Sequence, residues 1–180
     1  MNAAMSSWPV RLGVRPGSRP SFAAIAEEHL DAVYRYLLLM TRDRVTAEDL
    51  TGETFEKAFR SWRRFDPRRA SPRTWLCQIA RNSALDHFRS EERRRRREAG
   101  YAGGEPEAAE RSFGEGFSPR LEAALAELSA AEREVVALRV LLELDGRTAA
   151  RVLGISTTAC STRLSRALQK LEEKVRDDGR

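Results

Sequence analysis

The stretch DGRTAARVLGISTTACSTRLSRALQKL, residues 145–171, decides the fold. Asp145 is a residue type that accepts hydrogen bonds from the free N–H groups at a helix start, and a short helix can follow it to Leu153. Gly154 can end that helix in the left-handed conformation, which a residue without Cβ adopts freely. Ser156 then caps a longer helix, along which Cys160, Leu164, Ala167 or Leu168, and Leu171 form an inward stripe. A short helix, a glycine turn and a capped longer helix are the layout of a helix-turn-helix. Thr157, Thr158, Ser161, Thr162, Ser165 and Arg166 are left facing outward. Short hydroxyls near a helix start can approach base edges and phosphates, and Arg can reach guanine or phosphate. A plain helical hairpin with a solvated face fits the same pattern.

Upstream of this stretch the periodicity stays helical. Leu121, Leu125 and Leu128 share a stripe, and Ser129-Ala130-Ala131-Glu132 reads as a capping box opening a helix that contains Val135, Val136, Leu138, Leu141 and Leu142. Further back, an arginine run from Arg93 to Arg97 precedes Gly100, Gly103, Gly104, Pro106, Gly114 and Gly116, which reads as a flexible basic and Gly-rich linker over 93–119. Before it come three more helices. Phe22, Ile25, Leu30, Val33, Leu37 and Met40 approximate one stripe. Thr46 is the expected N-cap of the second helix, with Asp49 as its capping-box acid and Leu50, Phe55, Ala58, Phe59 and Trp62 as its apolar residues. Ser71-Pro72 opens the third, whose buried face is Leu76, Ile79, Ala80 and Ser83. The expected fold is all-α: a disordered arm over 1–20, then two small helical domains over 21–92 and 120–176 on a tether.

Composition excludes several classes of function. Cys77 and Cys160 stand far apart, and His29 and His87 are the only histidines, so no metal-ligand spacing exists. Both cysteines read as small core residues, although a single disulfide stays open. The longest apolar run, Leu37 to Met40, is far short of the ~20 residues that span a bilayer. Met1 to Pro20 lacks the apolar region of a secretory signal. A cytoplasmic protein without cofactor is expected. Nothing combines a positioned nucleophile with a base, so it is not expected to be an enzyme.

The charge distribution says more than the net charge of +5. From Ser21 to Phe59 acids outnumber bases by 8 to 4; from Arg60 to Arg97 there are 13 Arg against 4 acids. An acidic protein-binding face beside a basic nucleic-acid face suits a factor that bridges the two. Asp49, Glu53 and Glu56 fall at i, i+4 and i+7, a self-repelling row that a basic partner would relieve; a solvated acidic face is the plainer alternative. Asn82, Asp86 and Arg89 repeat that spacing on the third helix. An amide can hold a flipped base by its Watson–Crick edge, an aromatic such as Trp75 can stack on an unpaired base, and Arg can follow the backbone. Trp75 also fits a core position, and Asp86 suits orienting Arg89 or Asn82.

Two blocks of residues now carry a resemblance to a known family. Leu153-Gly154-Ile155-Ser156 with Ser161-Thr162-Arg163-Leu164-Ser165-Arg166-Ala167-Leu168 resembles the C-terminal domain of extracytoplasmic-function (ECF) sigma factors. Leu128-Ser129, Arg133-Glu134-Val135-Val136 and Leu138-Arg139 fit the same domain. Ala47-Glu48-Asp49-Leu50, Glu53-Thr54-Phe55 and Ala58-Phe59, followed by Trp75-Leu76, Ile79-Ala80-Arg81-Asn82, Ala84-Leu85-Asp86 and Arg89, resemble the family's domain 2. The resemblance implies a transcription initiation factor. Asp49, Leu50, Glu53, Phe55 and Glu56 would bind the clamp helices of core RNA polymerase. Trp75, Gln78, Arg81, Asn82, Asp86 and Arg89 would recognise and open the promoter element near −10. Arg147, Thr157, Thr158, Ser161, Thr162, Arg163, Ser165 and Arg166 would read the element near −35, with the domain that carries them set against the polymerase flap. An anti-sigma factor is implied as a further partner. No further domain before Phe22 or between the blocks is expected, which suits this class. Ser161 stands where the family often has Lys, Cys160 where it often has Val, Gly52 where it often has Gln, and Arg147 and Thr148 where it often has acids. Two rival readings are an autonomous helix-turn-helix regulator, which leaves the first domain unexplained, and a sigma-like interaction adaptor.

Overall fold

The hydroxyl of Ser21 accepts from the Ala24 N–H at 3.2 Å and opens α1, Phe22–Thr41. The structure, a computed structural model, describes residues 20–99, 113 and 118–177. The expected arm, apart from Pro20, and the expected linker over 100–112 and 114–117 lie outside the described residues. Along α1 the buried register runs through Ile25, His29 and Val33, while Leu30 is 51 % exposed. His29 therefore takes the inward place expected for Leu30. Tyr36, Leu37, Leu38, Leu39 and Met40 are all buried. At ~100° per residue, five consecutive buried positions circle the helix, so this end of α1 is covered on every side.

α2, Arg44–Ser61, starts earlier than expected. Its N-cap is Asp43, whose Oδ2 accepts from the Thr46 N–H at 2.7 Å. Thr46 lies inside the first turn as the donor because a carboxylate three residues before it, on extended backbone, takes the capping position. A single 3-10 turn, Trp62–Arg64, leads toward α3, Pro72–Ala99, where Ser71 accepts from the Thr74 N–H at 3.2 Å. This helix does not stop at Glu92. It carries the arginine run as exposed helix, with Arg94 bonded to Glu91 at 3.1 Å and Arg96 to Glu92 at 2.7 Å. Such one-turn pairs favour helix over linker.

In the second half, α4 (Pro119–Glu127) is capped by Ser118, and α5 (Ala130–Val136) by the expected Ser129–Glu132 box. The helix expected through Leu142 instead widens at Ala137–Leu141 into a π turn, where the Leu142 N–H reaches the Ala137 carbonyl at 2.9 Å. α6, Gly146–Leu153, and α7, Thr157–Asp177, complete the described helices. No strand occurs among the described residues.

The two halves are docked. α1 lies against α5 and the π turn, and α3 against α6. A continuous apolar cluster runs from Ile25 through Leu76 and Leu138 to Ala167. Polar contacts cross the same seam: an Arg73 Nη donates to the Leu142 carbonyl at 3.1 Å, and the Arg42 guanidinium sits 5.0 Å from the centre of the Phe113 ring. Cys77 and Cys160 are both buried free thiols, and burial pushes Cys77 up to about 12, so it stays protonated and inert.

Candidate nucleic-acid interfaces

The helix-turn-helix is built by its caps. Asp145 Oδ1 accepts from the Arg147 and Thr148 N–H groups at 2.9 and 3.0 Å, and Oδ2 accepts from the Thr148 hydroxyl at 2.6 Å. That hydroxyl and the Thr148 N–H hold Asp145 below the usual carboxylate range. Gly154 ends α6 at φ 68°, and the Ile155 N–H closes the turn on the Ala150 carbonyl at 3.0 Å. Ser156 accepts from the Ala159 N–H at 3.1 Å and starts α7. Cys160 and Ala167 are the buried residues of the α7 stripe; Leu168 is 43 % exposed, so Ala167 is the inward choice.

Lys170 reaches Glu132 at 2.6 Å and ties α7 to the start of α5. With the Cys160–Ala167 stripe inward, Thr157, Thr158, Ser161, Thr162, Ser165 and Arg166 are all exposed. Arg163 is half-buried, bordering with Thr158, Thr162 and Arg166 a shallow concavity closed by Ser129 and Glu132. Arg147 is exposed at the start of α6.

In the first half, Asp49 and Glu56 are exposed on α2 and Glu53 is half-exposed. The row is partly neutralised on its own helix, Glu53 by Lys57 and Glu56 by Arg60 at 2.6 Å, while Asp49 has no ion-pair partner among the described residues. Leu50, expected among the contact residues, is 4 % exposed; it faces the core and holds the helix in place. Phe55 packs on Phe22 with ring centres 6.5 Å apart, and Phe59 is 65 % exposed beside the same ring.

On α3, Gln78, Asn82, Asp86 and Arg89 are exposed along one side, and Asp86 bonds the Arg89 guanidinium at 3.2 Å. Asp86 and Arg89 are thus paired on this exposed side. Trp75 is half-buried in a cluster with Phe65 at 4.9 Å and Trp62 at 5.9 Å, the packing that its apolar neighbours favour over a free stacking platform. Arg81 departs most from expectation. Its Nε donates to Glu134 of the other half at 2.8 Å, so it does not stand free on the α3 surface. Glu134 and Tyr36, whose hydroxyl donates to the same carboxylate at 3.2 Å, are polar residues that periodicity did not single out. Glu134 follows Glu132 and Arg133 directly, so in sequence it reads as one more surface charge, and only Val135 and Val136 after it hint at burial.

Residues 25–94 match the family profile described as Sigma-70 region 2, and residues 118–171 match Sigma-70, region 4. The chain is 31 % identical to the ECF RNA polymerase sigma factor SigM of Bacillus subtilis, across 82 % of this chain and 91 % of that one. The chain belongs to the ECF sigma factor family. A second sigma relative, SigC of Mycobacterium tuberculosis, is 32 % identical over 89 % of this chain and 86 % of its own length. A third, BldN of Streptomyces coelicolor, is 34 % identical over 91 % of this chain, which spans 64 % of BldN. The sigma fold is shared with RpoE of Bartonella quintana, solved with the anti-sigma factor NepR (TM-score 0.72, 24 % identity, 86 % of this chain and 96 % of that one). CnrH, solved with the cytosolic domain of CnrY, is also similar (TM-score 0.63, 25 % identity, 87 % and 88 % covered). Sigma factors direct RNA polymerase to promoters, and neither the autonomous regulator nor the adaptor is favoured. No helix among the described residues is long and apolar enough to cross a membrane.

Proposed function

We propose that this sigma factor binds core RNA polymerase through the α2 face, opens the −10 element with α3 and reads the −35 element with α7. The observation that carries this reading is the chemistry of three exposed faces on two family-matched halves. Asp49, Glu53 and Glu56 make the acidic face, and the polymerase clamp helices are its proposed partner, with Phe55 supporting it from behind. Gln78, Asn82 and Arg89 supply amide and guanidinium donors and acceptors for unpaired bases and backbone, with Asp86 holding Arg89 in place. Thr157, Thr158, Ser161, Thr162, Ser165 and Arg166 offer hydroxyls and one long cation to a major groove, flanked by Arg147 and Arg163. Arg147 and Ser161, where the family pattern is broken, are where this chain's own promoter preference resides. The protein acts in the cytoplasm, breaks no covalent bond itself and lends DNA contacts to the polymerase. A regulatory protein that covers these faces is part of the proposal, since RpoE was solved with an anti-sigma factor.

The test is transcription from a promoter library by core polymerase with and without the chain. Start sites that depend on the chain are expected; their absence sinks the reading. Asn82→Ala should reduce open-complex formation at least tenfold while core binding changes less than twofold. Loss of core binding in that variant would show that the two faces are not separate.

A further inference from the structure

Within the first half, one side chain touches both the acidic row of α2 and the flank of α3. Lys57 on α2 pairs with Glu53, one turn before it on the same helix, and its Nζ donates to the Ser83 hydroxyl of α3 at 3.0 Å. Ser83 is 1 % exposed, so the ammonium rests against a packed part of α3. Asn82 is the chain neighbour of Ser83 and Asp86 lies one turn on, both on the exposed side of that helix. The Lys57 and Glu53 side chains are themselves half-exposed.

The two bonds of Lys57 differ in how readily they are exchanged. The Glu53 pair joins half-exposed groups on one helix, where water and salt screen the attraction and another cation can take the place of Lys57. The Ser83 bond ends on a buried hydroxyl and keeps the ammonium at the flank of α3. Arg60 and Glu56 repeat the one-turn pairing, but Arg60 bonds no residue of α3 among the described residues. A basic surface that binds the Asp49, Glu53 and Glu56 row takes the Glu53 carboxylate for itself. Lys57 is then left with a neutral partner and an uncompensated charge beside Asn82. A strand whose base meets Asn82 brings its phosphates past this flank, and an ammonium meets a phosphate as a point charge.

We infer that Lys57 is a further nucleic-acid contact, masked by Glu53 in the free chain and released to a strand phosphate when a basic partner takes Glu53. The inference rests on the proposed reading of α2 as the polymerase face and α3 as the strand-opening face. The coupling is reciprocal: a phosphate on Lys57 frees Glu53 and so strengthens the hold of α2 on its basic partner. The exchange of one ion pair links the two tasks, and no helix has to move for it.

The first measurement uses the full chain alone and a fluorescent random-sequence single-stranded oligonucleotide. Glu53→Gln should tighten strand binding about fivefold at low salt and steepen the slope of log K against log salt by about 0.7, one phosphate contact. Glu56→Gln makes the same charge change but frees only Arg60, so its effect should be clearly smaller. Adding Lys57→Gln to Glu53→Gln should cancel the gain, whereas adding Lys57→Arg should keep it. The second measurement uses core polymerase and promoters whose start sites depend on the chain. Lys57→Gln should slow open-complex formation about fivefold, while core binding holds or tightens because Glu53 is left free for the partner. Circular dichroism checks that each variant is folded, and Glu53→Gln against Glu56→Gln decides the matter should Lys57→Gln fail to fold. If Glu53→Gln binds the strand no better than Glu56→Gln, or keeps its gain without Lys57, the inference is wrong. A loss of core binding in Lys57→Gln as large as its loss of open complex would make Lys57 a brace of α2 and overturn the inference too. If no start site depends on the chain, the sigma reading fails, and the free-chain measurement still decides whether Glu53 masks Lys57.

Discussion

Gly154 ends α6 at φ 68°, a conformation that places a Cβ against the following carbonyl. Nothing lies within 4 Å of where that Cβ would stand, so Gly154→Ala carries only the backbone strain, about 1 kcal/mol of lost stability. Gly52 is the opposite case. It sits inside α2, is exposed, and its missing Cβ would also meet nothing within 4 Å. Gly52→Ala should stabilise the chain by about 0.5–1 kcal/mol, because glycine lowers helix propensity by that much. Denaturant unfolding of the two variants should shift the midpoint in opposite directions; a shift of the same sign would contradict this account. Gly154 was legible in the sequence because a turn glycine between two caps acts locally, and Ser71, Ser129, Asp145 and Ser156 were legible as caps for the same reason. Asp43 was not, since Asp43 and Thr46 are both good caps and only the backbone decides which of them is extended.

At the scale of elements, the start of α5 gathers several charge-dependent contacts on one side chain. Lys170 first, then the N–H and hydroxyl of Ser129, push the Glu132 carboxyl down to about 2. The folded carboxyl is thus a stronger acid than the unfolded one, whose ordinary value is 4.5. Its contribution is fully present above that ordinary value and disappears as pH falls through the folded value. Thermal unfolding between pH 6 and pH 2.5 should therefore show a fall in stability that Glu132→Gln makes shallower. An equally steep fall in the variant would place the acid sensitivity elsewhere. Ser129→Ala should cost about 1 kcal/mol at neutral pH through loss of the cap. The capping box and the α7 faces were readable, because four-residue spacing survives in sequence. The π turn at Ala137–Leu141 was not: one extra residue per turn leaves the apolar positions of Val135, Leu138 and Leu142 in a helical pattern. The extension of α3 through the arginine run was hidden for a different reason. Arg93 to Arg97 has no apolar stripe, and its pairs with Glu91 and Glu92 only emerge once the helix is drawn.

For the whole molecule, the glycines from Gly100 to Gly116 suggested two independent domains, and docking was invisible to them. A trace of it was in view, since Leu37 to Met40 is too apolar for a helix with one free side. Read only as too short to span a membrane, that run did not reveal what covers it. α1 packs against α5 and the π turn as well as against α2 and α3, so the apolar cluster is shared between halves separated by the linker. A shared core makes the halves unfold together when their coupling exceeds the difference in their own stabilities. Scanning calorimetry of the full chain should then give one transition whose calorimetric and van't Hoff enthalpies agree. Glu134→Ala removes the acceptor while leaving Arg81 and the Tyr36 hydroxyl in the seam, a loss of about 3 kcal/mol of coupling. That variant should split into two transitions, one for each half. Tyr36→Phe removes one bond and keeps the packing, so it should stay single and melt lower. Two transitions in the parent chain would mean that the seam is too weak to couple the halves, and that each half folds on its own core alone.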